Sequence, residues 1–283
     1  MKLGVDVGGT FIKLYNGKNR EKVKTPRSAE ELVELIAGRA EELSAKGVCI
    51  AVAGLVNGET GEVTESPNLP FLNGLNLKEE VEKRLTGTAV RVVNDATAAA
   101  YGEFKRGSGR GSRLFLCLTL GTGLGGGAVI NGEPLIGVSG SAMEVGHTTV
   151  CVNGWPCHCG RRGCLEAYAS SYGLKRLYYI NTEEDLPPHA ILELAKSGDE
   201  KALKAVKALA FYLGVGITNL VHTFNPDTVA LAGGTVVQFP KLIKLVEEEV
   251  KRRAFKLPGK ALKVVGAELG EFSGAVGAYE LAP

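Results

Sequence analysis

Two glycine-rich turns, "DVGGTFIK" (Asp6 to Lys13) and "LTLGTGLGGG" (Leu118 to Gly127), lead into Asn-Gly pairs at the same distance. Eight residues separate Gly8 from Asn16, and eight separate Gly123 from Asn131. An Asn-Gly pair between apolar alternations marks a type I′ hairpin, because both central positions need positive φ. A turn set twice in one chain predicts a fold set twice.

The flanking patterns extend the repeat. In the first half, "KLGVDVG" (2–8) reads as a strand, the hairpin follows, and "REKVKT" is a third strand. Leu32, Leu35, Ile36 and Leu43 then fall on one helical face of "EELVELIAGRAEEL". "GVCIAVAG" (47–54) is a buried-strand run, Leu77, Val81 and Leu85 mark a second helix, and "AVRVVND" (89–95) is a closing strand. The second half begins with the strand "RLFLCLTLG" (113–121) and the hairpin "GAVINGE". A long helix (200–221), the strand "DTVALAGG" (227–234), a helix (240–253) and the strand "KVVGAEL" (263–269) complete it. Both halves read β-β-β-α-β-α-β, an α/β chain with a Cys-rich insertion in the second copy. "KRGSGRG" (105–111) is the expected joint. The expected domains are 1–108 with the C-terminal segment 270–283, and 109–269.

Charge narrows the function classes. Against 33 Lys and Arg stand 31 Asp and Glu, a net of +2, which gives no push toward nucleic acid or an anionic membrane. No apolar run in the sequence reaches the roughly 18 to 20 residues of a membrane span. "MKLGVDVGG" enters a strand without a signal-peptide pattern, so a cytoplasmic location is expected, where structural disulfides are rare. A single glutamine, Gln238, among many Lys and Glu suits a heat-adapted source.

Glycines let backbone N–H groups approach an anion with no Cβ in the way. The two turns therefore read as phosphate cradles, with Thr10 and Thr122 as added hydroxyl donors and Asp6 suited to Mg²⁺ through water. A third glycine turn, "LAGGT" (Leu231 to Thr235), ends a late strand and reads as flanking a nucleotide base. Three such turns imply one nucleotide held in a cleft between two lobes. "VVNDATAAAYGEF" places Asp95 where a strand gives way to a helix. There it can be the helix N-cap, a general base for a sugar hydroxyl, or both. Glu144, His147 and Glu166 offer the paired acceptors and donors that polyol recognition needs.

These strings, together with "SPNLP", "EVGH" and "CHCGRRGCLEAYAS", stand in the order found in ROK-family sugar kinases, which the whole chain resembles. The resemblance is nearest to bacterial ATP-dependent glucokinases. It implies a two-lobed actin-like (ribonuclease-H-like) ATPase fold, and phosphoryl transfer from MgATP to the 6-hydroxyl of a hexose with Asp95 as base. It further implies sugar contacts from Asn68, Asn94, Asp95, Glu144, His147 and Glu166. Phosphates are expected at Gly8, Gly9, Thr10, Thr122 and Gly123, with Lys13 close to them, and adenosine at Gly233 and Gly234. A homodimer or homotetramer is expected. The pattern has a glycine just before the "EVGH" glutamate, where this chain has Met143, which leaves the sugar preference open. N-acetylglucosamine, N-acetylmannosamine, fructose or mannose are alternative acceptors, polyphosphate an alternative donor, and a non-catalytic sugar-sensing regulator the alternative role. Repressors of the family carry a DNA-binding domain ahead of the first glycine turn, which here begins at residue 6, so no DNA binding is expected.

His147, Cys157, Cys159 and Cys164 have the ligand types of a closed Cys₃His structural zinc site. Cys151 and His158 are alternative ligands by chemistry; the family pattern favours His147. Cys49 and Cys117 lie in apolar strands and read as core.

Overall fold

The computed structural model describes residues Met1–Pro283. Two compact units divide the chain: Met1–Gly111 with Gly127–Met143 and Glu268–Pro283, and Ser112–Gly126 with Glu144–Ala267.

In the first unit β1 (Lys2–Val7), β2 (Phe11–Tyr15) and β3 (Arg20–Lys24) form an antiparallel meander, followed by α1 (Ala29–Glu42) and β4 (Gly47–Val52). Ser28 caps α1 by accepting from Glu31 N at 3.2 Å. Three short strands, β5 (Leu55–Val56), β6 (Glu62–Glu65) and β7 (Leu75–Asn76), make a small separate sheet before α2 (Leu77–Glu82), β8 (Ala89–Asn94) and α3 (Asp95–Arg106). The main sheet runs β3-β2-β1-β4-β8, with β4 parallel to both β1 and β8. Every residue of β4 is buried, as expected of a parallel strand covered on both faces.

The sequence repeat reappears in the second sheet. It contains β9 (Leu114–Leu120), β10 (Leu124–Ile130) and β11 (Glu133–Pro134). The metal loop, α4 (Ser171–Thr182), α5 (Pro188–Ser197) and α6 (Glu200–Phe224) follow. After them come β12 (Thr228–Ala232), α7 (Gly234–Gln238), α8 (Lys241–Arg253), α9 (Lys256–Ala261) and β13 (Lys263–Gly266). The order β11-β10-β9-β12-β13 matches that of the first sheet strand for strand. By length and composition α6 is apolar enough to cross a membrane, although charged residues interrupt its apolar stretch; most of that stretch is buried in the fold, against α4, α5 and α8.

Three expectations need correction. Only the second Asn-Gly pair makes a two-residue loop with both φ values positive, +52° at Asn131 and +92° at Gly132. The first hairpin uses residues 16–19, where Asn16 Oδ1 accepts from Lys18 N and Asn19 N at 3.1 and 2.7 Å, and only Gly17 has positive φ. The expected domain boundary also moves: residues 127–143 belong with the first unit, because β11 packs on α3. Lastly, Asp95 is not the N-cap of α3; Asn94 is.

The last helix, α10 (Ser273–Leu281), crosses α3 so closely that a Cβ on Gly277 would collide with the carbonyl of Ala98. Beside this crossing the fully buried Glu103 carboxylate accepts from Ser108 N, Glu268 N, Leu269 N and Ser273 Oγ at 2.8 to 3.1 Å. Those donors flank the points where the chain leaves the first unit and returns to it. Gly277→Ala is expected to cost about 1–3 kcal/mol of stability through overpacking. A urea midpoint equal to that of the parent would show that the two helices separate without penalty.

Candidate functional site

In the first unit the carboxyl ends of β1 and β8 carry the polar groups. Asp6 on β1 lies directly across from Lys13 on β2, and Lys13 Nζ sits 3.2 Å from Asp6 Oδ2. Burial pushes the Asp6 carboxyl above its ordinary range, and the Lys13 charge and hydrogen bond oppose that rise. Lys13 is therefore placed as the partner of Asp6. The intervening turn is closed by Gly8 N donating to Phe11 O at 3.2 Å, and it leaves Gly9 and Thr10 exposed. The exposed Asn68 abuts Gly9, whose Cβ position is 3.3 Å from the Cβ of Asn68.

Asn94 ends β8 with both polar atoms of its side chain bonded to backbone. Its Oδ1 accepts from Ala96 N and Thr97 N at 2.9 and 3.0 Å, and its Nδ2 donates to Gly54 O at 3.0 Å. Asp95 is thereby fixed as the first residue of α3, half-buried at the carboxyl end of a parallel strand, where α/β folds gather ligands. Ala96 N also donates to Asp95 Oδ1 at 2.9 Å.

In the second unit two glycine turns sit at the ends of neighbouring parallel strands. Gly121–Gly123 follows β9, and Gly233–Gly234 follows β12, its partner. Gly233, at φ +101°, presses on the Leu120 carbonyl that ends β9. Gly121 accepts from Ser171 N at 3.0 Å and donates to Gly123 O at 3.0 Å, and Thr122 stays exposed.

The four metal-ligand candidates converge within the same unit. His147 ends the 3₁₀ turn Val145–His147, Cys157 and Cys159 lie in the loop, and Cys164 precedes the 3₁₀ turn Leu165–Ala167. All four donor atoms lie within 4.8 Å of one another. Cys159 Sγ is 3.6 Å from Cys164 Sγ, and Cys157 Sγ is 3.8 Å from His147 Nδ1. A disulfide needs about 2.05 Å. Thiolates held about 2.3 Å from a tetrahedral zinc stand about 3.8 Å apart, so this donor set fits the metal. Burial pushes the Cys157 thiol up to about 12. Burial also opposes ionisation of Cys159, but hydrogen bonds from the backbone and side chain of Arg161, joined by those of Cys157 and Cys164, together outweigh it and bring that thiol to about 6. Cys151 and His158 stay outside the cluster: His158 packs on Tyr172, with ring centroids 4.3 Å apart. Trp155 stacks on Tyr168 at 4.5 Å and Tyr168 on Tyr212 at 4.2 Å, backing the loop with aromatic rings.

Glu144 is exposed just before the His147 turn, whereas Glu166 is buried. One Glu166 oxygen accepts from Leu124 N at 2.9 Å, and the other is 3.6 Å from Cys157 Sγ. That link between the loop and the glycine turn was missed from sequence, since nothing in "CLEAY" or "TGLGG" signals a partner 42 residues away. Met143 adopts φ +67°, a region glycine enters without strain, which gives a physical reason for the glycine of the family pattern.

With this geometry in view, the sequence pattern of the ROK family matches residues 2–283. The chain belongs to the ROK family. Its fold is the actin-like ATPase fold, with a metal-loop insertion. A ROK glucokinase from Streptomyces griseus, solved with glucose and AMPPNP, superposes with a TM-score of 0.84 at 33% identity, over 99% of this chain and 98% of that one. A glucokinase of Streptomyces coelicolor is 34% identical over 100% of this chain and 97% of its own length. The xylose repressor of Bacillus subtilis is 32% identical over 82% of this chain but only 59% of its own length.

Zinc held a hundredfold above its Kd adds about 2.7 kcal/mol to the folded state. The protein is therefore expected to bind one zinc per chain and to melt at lower temperature after chelation, and Cys159→Ser should abolish that difference. Identical melting with and without chelator in the parent protein would remove the metal from the cluster.

Proposed function

We propose that this chain is an ATP-dependent hexose kinase that transfers the γ-phosphoryl group of MgATP to the 6-hydroxyl of glucose. The observation that carries this reading is the placement of Asp95. Asn94 takes over the capping of α3, which leaves a half-buried carboxylate at a strand end with one oxygen drawn to the helix amide.

A sugar hydroxyl is a poor nucleophile until its proton has somewhere to go. Asp95 accepts that proton as the new O–P bond forms and the bond to the β,γ-bridging oxygen breaks, giving the sugar phosphate and ADP. Asn68, Asn94, Glu144, His147 and Glu166 hold the remaining hydroxyls, and position the reacting oxygen rather than activate it. The turns of Gly8, Gly9 and Gly123 bring backbone against the phosphates, the hydroxyls of Thr10 and Thr122 donate to them, and Gly233 and Gly234 flank the adenosine. Mg²⁺, when bound, would neutralise phosphate charge; Asp6 would hold it through water, with Lys13 balancing the buried carboxylate. The Cys₃His set would leave a tetrahedral zinc no open coordination position, so a zinc held there would be structural.

Similarity to a xylose repressor supports a second reading, a sugar-sensing regulator without catalysis. A sensor needs the hydroxyl-binding groups but not a base, and the retained Asp95 favours the enzyme. A cytoplasmic location and a homodimer or homotetramer complete the proposal.

A panel of glucose, mannose, fructose, N-acetylglucosamine and N-acetylmannosamine, each with MgATP or polyphosphate, decides substrate and donor. Glucose with MgATP is expected to give the highest kcat/KM. Asp95→Ala should lower kcat at least about 100-fold while calorimetry finds sugar affinity largely unchanged. Turnover near that of the parent would eliminate Asp95 as base, and sugar binding with no phosphorylation of any acceptor would favour the regulator.

A further inference from the structure

Leu124, the first residue of β10, is gripped from two sides by chain segments that carry metal-ligand candidates. Its N–H donates to Glu166 Oε2 at 2.9 Å, two residues beyond Cys164. Its carbonyl lies so near Gly146, the residue before His147, that a Cβ there would collide with it. A Cβ on Gly123 would likewise collide with Glu166 Oε2. Two glycines, Gly146 in the His147 segment and Gly123 in the turn itself, are thus required by these two close approaches. The other Glu166 oxygen faces Cys157 Sγ at 3.6 Å, and Leu165 N donates to Thr148 O at 2.9 Å. The segments carrying His147 and Cys164 are therefore tied to each other as well as to Leu124.

We infer that Glu166 is a positioning residue for the glycine turn Gly121–Leu124, and that the metal loop sets the shape of the nucleotide-phosphate cradle through it. This goes beyond the sugar contact assigned to Glu166 above, and it rests on reading that turn as a phosphate cradle. Leu124 N–H is the first amide after the turn and is held by a side chain from outside the hairpin. The turn's geometry is consequently set by where Glu166 stands. Glu166 is buried, and its position is fixed by the loop that the four donors close. Groups one shell out from a metal's ligands commonly change affinity or activity by about 10- to 100-fold when removed.

Amide hydrogen exchange on residues 118–126 of the zinc-loaded, ligand-free protein reads the clamp directly. Glu166→Ala is expected to speed exchange there about tenfold or more, and zinc removal from the parent to do the same. Glu166→Gln, whose amide oxygen still accepts from Leu124 N–H, should retain slow exchange. MgAMPPNP affinity, measured by calorimetry without sugar, should fall about tenfold in the alanine variant and recover in the glutamine variant. Exchange unchanged in both Glu166→Ala and the stripped protein overturns the inference. So does faster exchange with unaltered nucleotide affinity. Failure of the parent to bind MgAMPPNP at all would instead overturn the phosphate reading, and the exchange ratio alone would then decide whether Glu166 holds the turn.

Discussion

The second unit's chemistry depends on the convergence of three thiols and an imidazole on one point. Four donor atoms within 4.8 Å draw a loop of eighteen residues, from His147 to Cys164, into a closed figure. A loop of that length has a substantial closure cost, and a metal bound by all four groups is the interaction able to offset it. The consequences lie at the loop's two ends. At one end Gly146 approaches Leu124 of β10, and at the other Glu166 bonds to the same residue while Leu165 is buried against α6. The cluster needs no contact with a reacting atom to matter. It decides where the carboxylates stand.

The duplicated sheet supplies the frame for this arrangement. Parallel strands β4 and β8 in one sheet, and β9, β12 and β13 in the other, deliver loops at their carboxyl ends. Those ends carry Asp95, Thr122 and Gly233. In each copy the meander's first turn is glycine-rich, which in the proposed kinase lets backbone come close to the phosphates. The copies then diverge according to need. The first runs from β3 almost directly into α1 and carries its small three-stranded sheet after β4, while the second inserts the metal loop and two extra helices between β11 and α6.

Much of this was legible in the sequence. The eight-residue spacing from glycine turn to Asn-Gly pair announced the duplication, and the continuous apolar runs of β4 and β12 announced buried parallel strands. The four metal-ligand candidates were readable from the Cys spacing with the family pattern. What escaped is local competition and long-range pairing. At Asn16 the side chain bonds to backbone amides of its own loop and opens the expected two-residue turn to four residues. At Asn94 and Asp95 two good capping residues stand side by side, and sequence does not say which takes the amides. The strands β5 to β7, two to four residues each, are too short to show a period. The Glu166–Leu124 contact joins positions 42 residues apart and has no local signal at all.

In the proposed kinase the metal cluster organises the ligand-binding groups without taking part in transfer. Stepwise return of zinc to chelator-treated, folded protein, with glucose affinity measured by calorimetry at each step, tests it most directly. Glucose binding should be weak in the stripped protein and recover in proportion to occupied sites, reaching its full value at one zinc per chain. Equal glucose affinity before and after zinc, in protein shown by circular dichroism to remain folded, would contradict the account.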